Sequence, residues 1–277
     1  MNKMTDSDPR PSGWHIYLDS HMKAVEIIEV AGGRAAVFLT GRPGKTTPNE
    51  DAALVAALDA ESGVLGVADG AGGLQAGAEA SRLAITHLTR ELAGEGAGRA
   101  LHERIVSGLQ AAHDGIRQLG LGAATTFAGI QLERESLRTM HVGDSVVMVV
   151  GRKGNRRLQT VPHSPVGYAV QAGVLNEREA ICHQDLHLVS NLLGVDTPEV
   201  EVGEPFRLEA DDTVVIASDG LFDNLLAEEV AKRVAGTDLE SAATNLVGET
   251  LRRMLDPDGF EPSKPDDLSL ILFRFGA

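Results

Sequence analysis

GAATTFAGIQLERESLRTMHVGDSVVMVVG, residues 122–151, holds three apolar, β-branched segments in succession, 124–132, 137–142 and 145–151. The turn-like LERES and GDS separate them and leave no room for a helix. Strands that follow so closely pair antiparallel, because a parallel neighbour needs a crossover of a dozen residues or more. Upstream, 25–30, 34–40, 52–58 and 63–68 are short apolar runs bounded by Gly, Pro or Asp, as buried strands are. Residues 75–93 and 98–119 carry helical spacing rich in Ala, Leu, Glu and Arg. Downstream, 152–204 is polar with short helical pieces, notably 175–182, and reads as an insertion. A strand at 212–217, helices near 226–235 and 238–255, and a strand at 268–275 close the chain. The loop DPDGFEPSKPDD, 256–267, has three prolines and a glycine that break any helix. Runs of strands interleaved with pairs of helices predict an α+β fold rather than a doubly wound parallel sheet. Residues 1–22, polar and without period, read as a loose, flexible extension before one domain spanning 23–277.

The composition is that of an ordinary globular chain: 277 residues, 43% hydrophobic and 23% charged, so a sizeable core is available. Aromatics are only 4%, so that core is mostly Ala, Val and Leu. The formal net charge of -15 repels phosphate backbones and anionic headgroups, which argues against nucleic acid and membrane surfaces as partners. The single cysteine, Cys182, excludes an intramolecular disulfide framework and suits a reducing cytoplasm. No signal-peptide pattern and no apolar run of about 18 residues is present.

The acids fall at the ends of the predicted strands. Asn49-Glu50-Asp51 opens the strand 52–58. Asp69 closes GVLGVA and is followed by Gly70, Ala71, Gly72 and Gly73. Asp144 lies in HVGDS, Asp219 follows TVVIAS, and Asp266 and Asp267 precede LSLILF. A single aspartate at a strand end is ordinary turn chemistry. Five such placements call for a joint explanation: strands in register bring their ends to one rim, where gathered carboxylates repel unless cations relieve them. All-oxygen ligands select hard ions such as Mg2+ or Mn2+. The glycines after Asp69 allow close backbone approach and free a carbonyl to act as a ligand. No Gly-Lys-Ser/Thr follows, so this is not a Walker loop, and no GxSxG nucleophile elbow occurs. His141 lies near Asp144 and Ser145 without making a triad, and His163, His183 and His187 lack zinc-ligand spacing.

NEDA at 49–52, VADGAGG at 67–73, GAATTFAGIQL at 122–132, MHVGDS at 140–145, IASDGLFDNL at 216–225 and DDLSLILFRF at 266–275 stand in the order found in type 2C protein phosphatases. Over residues 25–275 the chain resembles the bacterial branch of that metal-dependent serine/threonine phosphatase (PPM) family. The resemblance implies an antiparallel β-sandwich flanked by helices, with metals at one end. It implies that Asp69 bridges two ions and Gly70 offers a carbonyl, with Asp219 and Asp266 as further ligands. Glu50 and Asp51 match the acidic pair that holds metal-bound water, directly or from behind. Asp144 resembles a ligand of a weaker third ion, shared with Asp219. Residues 163–180 fit the mobile flap at the substrate entrance.

Three positions depart from the pattern. An arginine that grips substrate phosphate usually stands four residues before Glu50; here Thr46 stands there, with Lys45 and Arg42 as the nearby cations. Ala71 replaces the histidine of eukaryotic relatives, and Asp267 the usual asparagine. The implied activity is hydrolysis of phosphoserine and phosphothreonine by metal-activated water without a phosphoenzyme, with Mn2+ or Mg2+. The implied role is that of a monomeric cytoplasmic signalling enzyme opposing a Ser/Thr kinase. Two other readings are a pseudophosphatase binding module and a regulatory phosphatase of the anti-sigma-antagonist branch.

Overall fold

A computed structural model describes residues 12–72, 75–94, 98–120, 122–256 and 261–276. Strands β1 (Trp14–Leu18), β2 (Glu26–Val30), β3 (Gly33–Thr40), β4 (Asp51–Ala57) and β5 (Ser62–Ala71) lead into helices α1 (Gln75–Ala93) and α2 (Leu101–Gln118). Next come β6 (Ala124–Thr125), β7 (Phe127–Glu133), β8 (Ser136–Val142), β9 (Val146–Val150) and β10 (Arg156–Gln159), then the short helices α3 (Pro165–Gln171) and α4 (Glu177–Ala180). The chain closes through β11 (Glu201–Val202), β12 (Phe206–Arg207), β13 (Thr213–Ala217), α5 (Asp219–Phe222), α6 (Ala227–Val234), α7 (Leu239–Leu255) and β14 (Leu268–Phe275).

The strands form two sheets. One runs β1-β4-β5-β7-β8-β11, with β12 also on β8 and β6 on β5; the other runs β10-β9-β13-β14-β3-β2. Neighbours within each sheet pair antiparallel, but of the consecutive segments of 122–151 only β7 and β8 pair with each other; the GDS turn carries β9 across to the second sheet, where it pairs with β10 and β13. Strand β14 shows why its apolar run is continuous. Ile271 and Phe273 face the other sheet, among Val37, Leu65 and Ile130, while Leu268, Leu270 and Leu272 face outward against α6 and α7. A strand covered on both faces needs apolar side chains at odd and even positions alike. On the far side, Ile85 and Leu88 of α1 and Ile105 and Leu109 of α2 bury Leu54 and Phe127. The result is helix, sheet, sheet, helix: the α+β sandwich expected.

Two boundaries need correction. The extension expected as loose over 1–22 is partly ordered, because Trp14–Leu18 forms β1, the edge strand on β4. Trp14 is buried there and its Nε1 donates to Ala57 O at 2.7 Å. An isolated strand of five residues carries no period strong enough to read; its partner lies some forty positions on. Residues 1–11 lie outside the described residues. The stretch 152–204 is stitched to both sheets rather than simply inserted: β10 extends one through β9, and β11 extends the other through β8.

Candidate metal centre

Asp51 is the first residue of β4, and the register of the sheet sets it opposite Asp69 of β5. Asn49 fixes the turn into β4, its Oδ1 accepting from the Asp51 N–H at 2.9 Å. Ser218, at the end of β13, crosses from the other sheet and donates its hydroxyl to Asp51 Oδ2 at 2.8 Å. The other carboxyl oxygen, Oδ1, is buried without a hydrogen-bond partner. Asp69 is anchored by its backbone: its N–H donates to Thr126 Oγ1 at 3.0 Å, and its carbonyl accepts from the Thr126 N–H and the Thr125 hydroxyl. Thr126 Oγ1 lies 2.7 Å from Ser145 Oγ, next to Asp144. At Gly70 the backbone passes so close to α1 that a Cβ would stand 2.2 Å from Gly77 O.

The other acids stand on the second sheet's side of the same rim. Asp219 opens α5 directly after β13, and Asp266 and Asp267 precede β14, which pairs with β13. Asp144 sits in the β8–β9 turn, after Gly143 at φ 98°. Two residues that the sequence reading did not single out join them. Asp223 lies one helical turn beyond Asp219, and Lys264 Nζ contacts Asp219 Oδ2 at 2.9 Å, Asp223 Oδ2 at 2.5 Å and Asp266 Oδ2 at 3.7 Å. The i, i+4 spacing of Asp219 and Asp223 was the available signal for the first. Nothing local announced the second.

The gathered charge shows in the titration of the acids. Burial, then the Asp267 charge, pushes Asp51 well above the ordinary carboxylate range against the pull of Ser218. Asp69 is pushed up by burial and then by Asp51, Asp219, Asp266 and Asp144. Burial and Asp219 raise Asp144 to about 7 and Asp266 to about 6. Asp223 is also pushed well up, by burial and Asp219. Lys264 goes the other way round: burial opposes its charge, but Asp219 and Asp223 outweigh it and raise its pKa. Carboxylates that keep their protons this tightly are short of counter-charge. Their oxygens, with the unpartnered Asp51 Oδ1 and the tight Gly70 approach, fit hard divalent cations.

Lys45 is not free to grip a ligand. Its Nζ pairs with Glu50 Oε2 at 2.8 Å and Asp267 Oδ2 at 2.5 Å, and its side chain is only 5% exposed. Asp267 also accepts from the backbone N–H groups of Arg42 at 2.8 Å and Glu50 at 2.7 Å, so it clasps the whole 42–50 loop. Arg42 itself is exposed, as is Thr46.

The family model for protein phosphatase 2C matches residues 41–256. The chain belongs to the protein phosphatase 2C family. A Streptococcus pyogenes serotype M6 protein described as protein phosphatase 2C-type is 31% identical over 59% of this chain and 69% of its own length. The S. agalactiae serine/threonine phosphatase structure shares the fold at a TM-score of 0.74, with 24% identity over 87% of this chain and 98% of that one. The catalytic domain of the phosphatase PstP, solved with two manganese ions, gives a TM-score of 0.69 at 24% identity, covering 87% of this chain and 97% of that one. The sandwich is therefore that of bacterial serine/threonine phosphatases, and the chain is an enzyme of that class.

In this phosphatase the expected flap, 163–180, comprises α3 and α4. It walls a cavity of about 560 Å3 whose acidic end is Asp144, Asp219 and Asp223 and whose apolar side includes Val166, Val170 and Phe222. At the flap's base, His163 Nδ1 accepts from the Gly143 N–H at 3.2 Å and from Asn191 Nδ2 at 2.9 Å. Its Nε2 therefore carries the proton and donates to Glu201 at 3.3 Å. Among the described residues, His141, His163 and Glu201 are the one trio of possible ligands whose donor atoms all lie within 4.8 Å of one another. The two rings are stacked, 4.3 Å apart and 29° from parallel, and His141 Nε2 lies 3.0 Å from Val161 O while His163 Nε2 meets Glu201. That stack ties the flap to the Asp144 turn. The aspartates of the phosphatase rim are spread more widely than the trio, as mutually repelling carboxylates are.

Proposed function

We propose that this phosphatase hydrolyses phosphoserine and phosphothreonine on proteins, opposing a serine/threonine kinase, with Mn2+ or Mg2+ and without a phosphoenzyme. The observation that carries the reading is the register pair of Asp51 and Asp69 at a rim shared with Asp219 and Asp266. Like charges directly opposite in a sheet destabilise it, and this arrangement is tolerable when cations share the space. Asp69, the Gly70 carbonyl, Asp219 and Asp266 would hold two ions. When bound, such ions supply Lewis acidity and make water a nucleophile at neutral pH.

The chain's own residues do the positioning. Asp51, pinned by Ser218 through Oδ2, keeps Oδ1 free to accept from water or to ligate. Glu50, paired to Lys45 through Oε2, retains Oε1 for the same purpose. Arg42, exposed and without an ion pair among the described residues, is the loop's cation for the substrate phosphate. Ala71 has no proton to lend the leaving alkoxide, so the rate should carry no imidazole ionisation near it.

The test is hydrolysis of a phosphothreonine peptide with Mn2+, its loss in EDTA, and its loss in Asp69→Asn. Turnover without metal, or an unaffected variant, overturns the proposal. The engagement of Lys45 and the presence of Thr46 favour one other reading, a module that binds phosphoprotein without cleaving it. Calorimetry would then show phosphopeptide binding with no metal-dependent turnover.

A further inference from the structure

We propose that the Lys264 ammonium is the resident cation at the Asp144–Asp219–Asp223 corner of the site, in the place where the family resemblance puts a third metal ion. This deepens the metal reading above and rests on it. Nζ lies 2.9 Å from Asp219 Oδ2 and 2.5 Å from Asp223 Oδ2, with Asp266 Oδ2 at 3.7 Å. A divalent ion held there by Asp144 and Asp219 would draw the Asp219 carboxylate to about 2.1 Å, and it competes with the ammonium for that group and for the space between the acids.

The lysine is held in place by its backbone. Asn224, fully buried, accepts from the Lys264 N–H with Oδ1 at 2.8 Å and donates to the Lys264 carbonyl with Nδ2 at 2.9 Å. The same Nδ2 donates to Gly220 O, tying this clasp to α5, which carries Asp219. Arg253, itself buried, donates to the Asn224 carbonyl at 2.6 Å and is fixed by Glu229 and Glu249. A surface lysine pairs with an acid by chance and costs side-chain entropy to do so. Here the main chain on both sides of the Cα is gripped, and the stem starts beside its partners.

The chemistry of the donor set points the same way. An ammonium presents three donors around one point of charge, which suits two or three carboxylates converging on it. It brings one positive charge where a divalent ion would bring two, so the corner stays weakly negative. Asp69 forms no ion pair with Lys264, and Lys264 meets Asp219 and Asp266 through Oδ2 alone, which leaves their Oδ1 oxygens for the two ions that these acids would hold with Asp69.

The experiment counts Mn2+ by equilibrium dialysis up to millimolar concentration, and locates the ions by anomalous scattering in soaked crystals. The subjects are the wild type, Lys264→Met and Lys264→Ser. The wild type should hold about two ions per chain. Each variant should hold about three, the extra one touching Asp219 and Asp223 and binding at least about tenfold more tightly than any third ion of the wild type. Three ions in the wild type with Lys264 swung aside, or two in both variants, overturns the proposal. No ion in any of the three proteins overturns the metal reading, and this proposal with it. In EDTA, Lys264→Met should melt below the wild type and recover when Mn2+ is added; an unchanged melting temperature in EDTA also counts against the ammonium as resident cation.

Discussion

Asp51 and Asp69 are register partners on adjacent antiparallel strands, so two carboxylates face each other where a sheet would ordinarily place an attractive pair. Relieving that opposition should stabilise the metal-free protein even as it disables the site. Asp69→Asn is expected to raise the melting temperature in EDTA, by about 1 kcal/mol of relief, a few degrees for a chain of this size. The same variant should lose at least about 100-fold in turnover with Mn2+ and should no longer be stabilised by the ion. Differential scanning fluorimetry with and without Mn2+, beside a phosphopeptide assay, checks both signs together.

Lys45 and Asp267 form a second long-range pair, each side chain 5% exposed. Removing one member of a buried pair leaves the other unpaired, which costs about 3–5 kcal/mol. Lys45→Met should therefore lower stability by roughly 3 kcal/mol, because both Glu50 and Asp267 lose their counter-ion. Adding Asp267→Asn should recover part of the loss. Arg42→Ala, at an exposed position, should leave the melting temperature unchanged and raise KM for a phosphopeptide by about tenfold, the worth of a charge-assisted contact. Urea unfolding separates the first effect from the second.

The metal-free protein should be more stable in mild acid than in mild base. Asp266 and Asp144 keep their protons to about 6 and about 7 in the folded chain, raised by burial and by Asp219. An unfolded aspartate loses its proton near about 3.9. The folded state thus binds more protons between these values, and the resulting stability is full below about 4 and lost as pH climbs through 6 and 7. In EDTA the melting temperature should fall between pH ~5 and pH ~8, whereas the stabilisation produced by Mn2+ should grow over the same interval, since protons and metal compete for the same oxygens.

Gly70→Ala tests the backbone of the site. The new Cβ would stand 2.2 Å from Gly77 O and 2.8 Å from Glu50 O, both main-chain atoms that cannot swing away. Overpacking of this kind costs about 1–3 kcal/mol. The displacement falls on the end of β5, which carries Asp69, so metal affinity should drop along with stability. Gly98→Ala, in open space at φ 90°, is the control: it should cost backbone strain without touching Mn2+ binding.

What could be read along the chain was whatever recurs locally. The spacing of Ala and Leu marked 75–93 as a helix, and the apolar run of 268–275 marked a strand, at the bounds the fold shows. Aspartates at strand ends marked a charged rim, because a strand end is visible in one dimension. The order of the short motifs carried the family. Strand β1 escaped notice because five residues with no repeat become a strand only when β4 supplies their hydrogen bonds.

The partners across the chain belong to three dimensions. Lys45 and Asp267 are 222 positions apart, and no spacing rule links them. Asp51 meets Asp69 through the β4–β5 register, which a slip of one residue would abolish by turning each side chain to the opposite face. Lys264 reaches Asp219 and Asp223 because Asn224 clasps the main chain of a loop whose sequence said only that no helix could form there. Residue type and local period are properties of the polymer; which charge neutralises which is settled by folding, when burial makes every unpaired carboxylate costly.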